Sequence, residues 1–210
     1  MKKYVAFIAG LLLCTPLLPA QNAADILAKA AAICKQPGGL TASFAMQTRS
    51  EHMSESFEGV IQIKGDRFTL STPDLKTWYD GLTQWTYMER AGEVTISTPE
   101  GEDLQLTNPA ILLDSYQKNF TATYQGESVP AGGKARYSIL LAPRNRRDIE
   151  SVTIEIEKTS GLPLRIVVQL KNRTSNIIHI SDIKTNANLP DRLFSFPAAG
   201  YPDAEIIDLR

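Results

Sequence analysis

The chain is poor in the residues most often used for chemistry. It has two cysteines and two histidines in 210 residues, and His52 and His179 have no partner at metal-ligand spacing. No HExxH, CxxC, GxSxG or P-loop pattern occurs, which removes the motif-based zinc-protease, dithiol-redox, serine-hydrolase and nucleotide-binding readings. No charge of one sign dominates. The formal net charge is −1, so nothing points to nucleic acid or to an anionic membrane surface. Beyond the N-terminus no apolar run approaches the roughly 20 residues that a spanning helix needs.

The N-terminus itself is distinctive. Lys2 and Lys3 precede an almost wholly apolar run, Val5 to Leu18, and Pro19-Ala20 supplies a small residue for cleavage. This is the pattern of a secretory signal peptide over residues 1–20, leaving 21–210 as one exported domain. A second reading is lipidation at Cys14, giving a lipid-anchored protein. Leu13 before it, and the run continuing through Leu17-Leu18, argue against that reading. With Cys14 removed, Cys34 is alone, so no internal disulfide forms. Its place in a helix suits a small buried hydrophobe.

What is present is pattern. Asn22 suits an N-cap and Asp25 the first turn of a helix. Ile26, Leu27, Ala30, Ile33 and Cys34 share one of its faces, and Pro37-Gly38-Gly39 ends it. The period then becomes two. Phe44 and Met46 alternate with polar or small residues, as do Ile61 and Ile63; Gly65-Asp66 is a two-residue turn leading to Phe68 and Leu70. Asp80-Gly81 and Ala91-Gly92 punctuate the next runs. Val152, Ile154 and Ile156, then Ile166, Val168 and Leu170, then Ile178 and Ile180, continue the alternation. Asn108-Pro109 opens a short helix, AILLDSYQKN, with proline at its first position. Helix, many strands, short helix, many strands predicts a long antiparallel meander curved beneath helices on its apolar face.

The remaining polar groups read as surface. Glu155 and Glu157 lie on the polar side of an alternating strand, so Glu155→Gln is expected to do little and Ile154→Glu to do harm. Asp148-Ile149-Glu150 reads as a loop leading into a strand. Arg144, Arg146 and Arg147 read as a solvated loop, and His179 as outward-facing or hydrogen-bonded. No catalytic residue, metal ligand or cofactor site emerges.

Several stretches, in order, resemble the periplasmic outer-membrane lipoprotein carrier family (LolA-like). They are SFAMQT, FEGVIQIKGDRFTL, YDGLTQWTY, NPAILLDSY, SGLPLRI and LFSFPAAGYPDAEIID. The resemblance implies an unclosed antiparallel half-barrel of about 10–11 strands, mainly β, with short helices as a lid. It implies a non-enzymatic periplasmic carrier, monomeric and without cofactors. Such a carrier takes acylated lipoproteins or lipid from an inner-membrane transporter toward the outer membrane and a receptor there. On that reading Phe44, Met46, Ile61, Ile63, Phe68, Leu70, Trp85, Tyr87, Ile154, Ile156, Ile166 and Val168 line a hydrophobic cavity. Ile26, Leu27, Ile33, Ile111, Leu112 and Leu113 line the lid. A regulatory or scaffold module of the same half-barrel type, binding a protein or lipid signal, is the alternative. In the family that the chain resembles, an arginine just before the turn that precedes the Phe68 strand holds the lid. Here that place belongs to Lys64, with Arg67 beyond the turn, and a lysine lacks the forked donor set of arginine. Leu70 stands where many relatives carry tryptophan.

Overall fold

The structure is a computed structural model that describes residues 23–51, 53–99, 109–145 and 148–210. The signal-peptide reading, Cys14, Asn22, His52, Arg146 and Arg147 lie outside the described residues. Helix α1 (Ala23–Cys34) leads into six strands: β1 (Leu40–Arg49), β2 (Ser54–Lys64), β3 (Arg67–Ser71), β4 (Leu75–Tyr79), β5 (Gln84–Met88) and β6 (Glu93–Ser97). Helix α2 (Pro109–Ser115) and a 3-10 turn (Tyr116–Lys118) follow. Five more strands come next: β7 (Phe120–Ser128), β8 (Arg136–Pro143), β9 (Ile149–Glu157), β10 (Pro163–Leu170) and β11 (Ser175–Thr185). Two 3-10 turns (Asp191–Phe194 and Ala198–Gly200) precede β12 (Glu205–Asp208).

All twelve strands form one sheet, in the order β12-β6-β5-β4-β3-β2-β1-β11-β10-β9-β8-β7. Each half is a meander of sequence neighbours, and the halves meet where β11 pairs with β1. β12 and β7 are the two edges, so the sheet is not closed. The described residues hold twelve strands against the expected about 10–11, and β12 runs parallel to β6 where an antiparallel meander was expected. Local chemistry sets the turns. Asp80 Oδ1 accepts from the Leu82 and Thr83 amides at 2.9 and 2.8 Å, and Gly81 takes a φ of +107°, which closes the β4–β5 hairpin.

One face of the sheet packs against the helices. Leu27 and Ala30 of α1 and Leu112 and Leu113 of α2 are buried in one core with Ile63, Phe68, Phe120, Ile139, Leu141, Ile154 and Ile156. Ile33 is half-buried, beside the Gly161 turn, and Ile111 is half-buried with its carbonyl oxygen accepting from Ser115 Oγ at 2.7 Å. Cys34 is buried there too. Burial pushes its thiol up to about 11, so it stays protonated and inert.

The other face is also apolar over β3–β6, which the alternation did not disclose. The chain after β11 folds back across it. Trp78 meets Phe196 and Tyr201 with ring centroids at 5.4 and 5.6 Å, and Tyr87 meets Tyr201 at 4.6 Å. Val94, Leu189 and Phe194 are buried but separate from the helix-side core. The segment ends in β12, which pairs with β6 at the edge of the sheet.

Candidate functional site

The register of the strands decides what faces the helices. Phe44 pairs with Gly59 and with Ile180, Met46 with Phe57 and Ile178, and Ile166 with Ile178. Cross-strand partners share a face, so these side chains form continuous apolar rows on the inner, helix-facing side. The helices cover only part of it. Over β1–β4, β10 and β11 they leave a cavity of about 640 Å³, roofed at one place by Leu112 of α2.

Six of the twelve side chains expected at the cavity line it: Phe44, Met46, Ile61, Leu70, Ile166 and Val168. Four others, Ile63, Phe68, Ile154 and Ile156, are on the inner face but in its filled part beneath the helices. Two lie on the opposite face. Trp85 pairs with Trp78 and Tyr87 with Lys76. Trp78 and Lys76 both face Tyr201 on the outer side, whereas Tyr79, next to Trp78, stacks on Phe68 in the core. Alternation therefore turns Trp85 and Tyr87 outward, and the aromatic hairpin serves the C-terminal cover instead of the cavity. Sequence reasoning missed Phe57, Leu75, Leu170, Ile178 and Ile180 as lining residues, although the alternation it read in β10 and β11 already carried three of them.

The gripping residues differ as well. Lys64 and Arg67 are a cross-strand pair one step past Ile63 and Phe68, so they too point outward. Lys64 Nζ donates to the Leu189 carbonyl and to Asp191 Oδ1, each at 2.8 Å, and Arg67 Nη2 donates to Asp191 Oδ1 at 3.1 Å. The Arg67 guanidinium also lies over the Phe194 ring, 5.2 Å from its centroid. They hold the C-terminal segment and not the helices. The two cations hold the Asp191 carboxyl below its ordinary range, Lys64 first.

The helices have a different tie. Lys35, just after α1, donates to Asp114 of α2 at 2.7 Å and reaches Asp66 in the β2–β3 turn at 2.9 Å. One ammonium joins both helices to the sheet. Burial, the largest single influence, pulls the Lys35 pKa down; Asp114 and Asp66 outweigh it, and the net shift is upward.

The cavity's polar groups are few. Thr72 Oγ1 is committed to Leu75, accepting from its amide at 3.1 Å and donating to its carbonyl at 3.2 Å. Asp74 Oδ1 accepts from Arg90 Nε at 3.1 Å. Asn176 Oδ1 accepts from Thr48 Oγ1 at 2.9 Å. Among the described residues no group of three or more His, Cys, Asp or Glu could hold a metal ion, and no helix is long and apolar enough to cross a membrane. His179 is exposed on the outer face, as expected.

Fold and cavity together define an open, lidded half-barrel with an apolar trough. Residues 13–172 match the family model described as outer membrane lipoprotein carrier protein LolA, and the chain belongs to that family. The C-terminal cover, including the LFSFPAAGYPDAEIID stretch, lies beyond the matched residues. An uncharacterized conserved protein from Thermus thermophilus has a similar fold, with a TM-score of 0.61 at 14% identity over 88% of this chain and 97% of its own. A DUF1329 family protein from Desulfovibrio piger gives 0.50 at 15% identity, over 84% and 97%. A LolA superfamily protein from Nitrosomonas europaea gives 0.47 at 16% identity, over 83% and 97%. Comparison with curated proteins gives no match.

Proposed function

We propose that this protein is a periplasmic carrier that shelters the acyl chains of a lipoprotein, or of another lipid, in the trough beneath α1 and α2. The observation that carries the proposal is the cavity of about 640 Å³ walled mainly by aliphatic and aromatic side chains. Its size falls in the range of small-molecule sites, roughly 300–1,000 Å³. An acyl chain in water costs about 0.8 kcal/mol per methylene, on the order of 12 kcal/mol for a chain of about 16 carbons. A carrier must offset most of that and still let go.

Two features support holding and release together. Met46, a flexible unbranched side chain, and the half-exposed Phe57, 41% accessible, both wall the cavity. The helices are tied to the sheet turn by Lys35, a partly exposed contact between charged groups. On this reading residues 1–20 are a cleaved leader and 21–210 form one unit. The protein binds without turnover, and its cargo comes from an inner-membrane transporter and goes to an acceptor at the outer membrane.

Native mass spectrometry of the protein purified from the periplasm tests this. Co-purified lipoprotein or lipid, lost when Ile178→Trp fills the cavity, is the expected result. A stoichiometric protein partner with no lipid would contradict it and favour a regulatory module.

A further inference from the structure

We infer that Asn176 selects the ligand: its side-chain amide donates to the carbonyl of an acyl ester or amide seated in the cavity. The inference rests on the acyl-carrier reading above and adds the chemistry of the ligand's head. Asn176 is the only cavity-lining residue, among those described, that has a neutral polar group left uncommitted. Thr72 is satisfied within its own loop and Asp74 by Arg90. Thr48 Oγ1 donates to Asn176 Oδ1, and with the amide so placed no described residue accepts from its Nδ2.

The position suits a head-group contact. Asn176 pairs with Thr48 on β1 and with Val168 on β10. That row is two residues nearer the strand ends than the Met46, Ile178 and Ile166 row, and only residues 171–174 separate β10 from β11. Two residues along a strand span about 7 Å. A tail that starts at the Asn176 row and runs inward meets Met46 and Ile178, then Phe44 and Ile180, and then Ile61, without meeting another open donor. Its head stays at the rim. A donor here does little for a bare hydrocarbon and favours a carbonyl at the first carbon, because an amide with no acceptor is left unsatisfied when apolar matter covers it.

The experiment compares 1-palmitoylglycerol with 1-O-hexadecylglycerol, which has the same head and a 16-carbon tail but no carbonyl. Affinities for the intact protein are read by isothermal titration calorimetry. The ester is expected to bind about 3- to 10-fold more tightly, the value of one neutral hydrogen bond. Asn176→Leu is expected to bring the ratio to about 1, and Asn176→Asp, which offers acceptors where a donor is needed, to favour the ether. Should Asn176→Leu not fold, Thr48→Val carries the test, since freeing the amide to rotate lowers the ratio. Equal binding of the two lipids by the wild type, or an undiminished ratio in the variants, overturns the inference and leaves the carrier reading standing. If neither lipid binds, the carrier reading fails and this inference fails with it.

Discussion

The Phe44 ring lies across Gly59, its cross-strand partner on β2. A Cβ on Gly59 would fall 2.6 Å from Phe44 Cζ and 2.5 Å from the Ser71 carbonyl oxygen, closer than real contacts allow. The missing side chain lets Phe44 lie flat against the inner face, where it meets Phe57 edge-on at 6.2 Å and walls the cavity. Gly59→Ala must therefore move backbone and not only a flexible side chain. We expect it to destabilise the fold by about 1–3 kcal/mol, the usual cost of overpacking, and to push Phe44 into the cavity. Chemical denaturation and a lipid-binding titration check both effects. An unchanged midpoint with unchanged affinity would show that the site has slack.

Lys35 gives the second expectation. Lys35→Met removes the ammonium that joins Asp114 and Asp66 but keeps most of the stem that packs beside α2. A partly exposed ion-pair network of this kind is worth about 1 kcal/mol. Amides of α1 and α2 should exchange about fivefold faster with solvent, and those of β8 and β9 should not change. Because the Lys35 pKa is raised on folding, this tie is complete through neutral pH and is lost only in the alkaline range as the pH rises through the elevated value. Equal exchange in the variant would remove Lys35 as the fastening.

Glu155 is the third. It sits between two arginines, accepting from Arg136 Nη1 at 2.5 Å and from Arg165 Nη1 at 2.8 Å, and its side chain is 17% accessible. Alternation correctly placed it on the outer face, but the network raises the expected cost of Glu155→Gln. We expect a loss of about 1–2 kcal/mol, between the exposed and buried limits for ion pairs. Burial alone would raise the Glu155 pKa; the two guanidiniums outweigh it and lower it. A lowered pKa means that this stabilisation is present above the ordinary glutamate range and disappears as the pH falls through the depressed value. The stability gap between wild type and Glu155→Gln should be full at pH 7 and close on acidification. A gap independent of pH would contradict the ionic origin.

These residues also show what the sequence could disclose. Period-two alternation located the long strands β1, β2, β9, β10 and β11, because each has one apolar and one polar face. The resemblance, which implied that Trp85 and Tyr87 line the cavity, failed at β5, where these two alternate as cleanly as core residues do. Alternation says which side chains share a face and not which face is covered. Here the cover is a C-terminal segment far away in sequence. The same kind of separation hid the Lys35 fastening, whose two acids come from a turn and from a helix 79 residues on. Lys64 and Arg67 were visible as cations beside a turn, but their partners, Leu189 and Asp191, depend on that same returning segment. Of the rows within β1, β2, β10 and β11, alternation named most of the inward aliphatic members but not Phe57 or Asn176; which of them line space and which line solid core was set by where α1 and α2 come to rest.

The most direct test is methyl-resolved NMR of the isoleucines during titration with a palmitoylated peptide. Ile61, Ile166, Ile178 and Ile180 line the cavity, whereas Ile139, Ile154 and Ile156 lie in the filled core. The first group should shift and give intermolecular contacts to the acyl methylenes, while the second stays nearly still. Binding without shifts in the cavity methyls, or with contacts confined to the outer-face residues Ile206 and Ile96, would place the cargo elsewhere and contradict the reading of the trough as an acyl shelter.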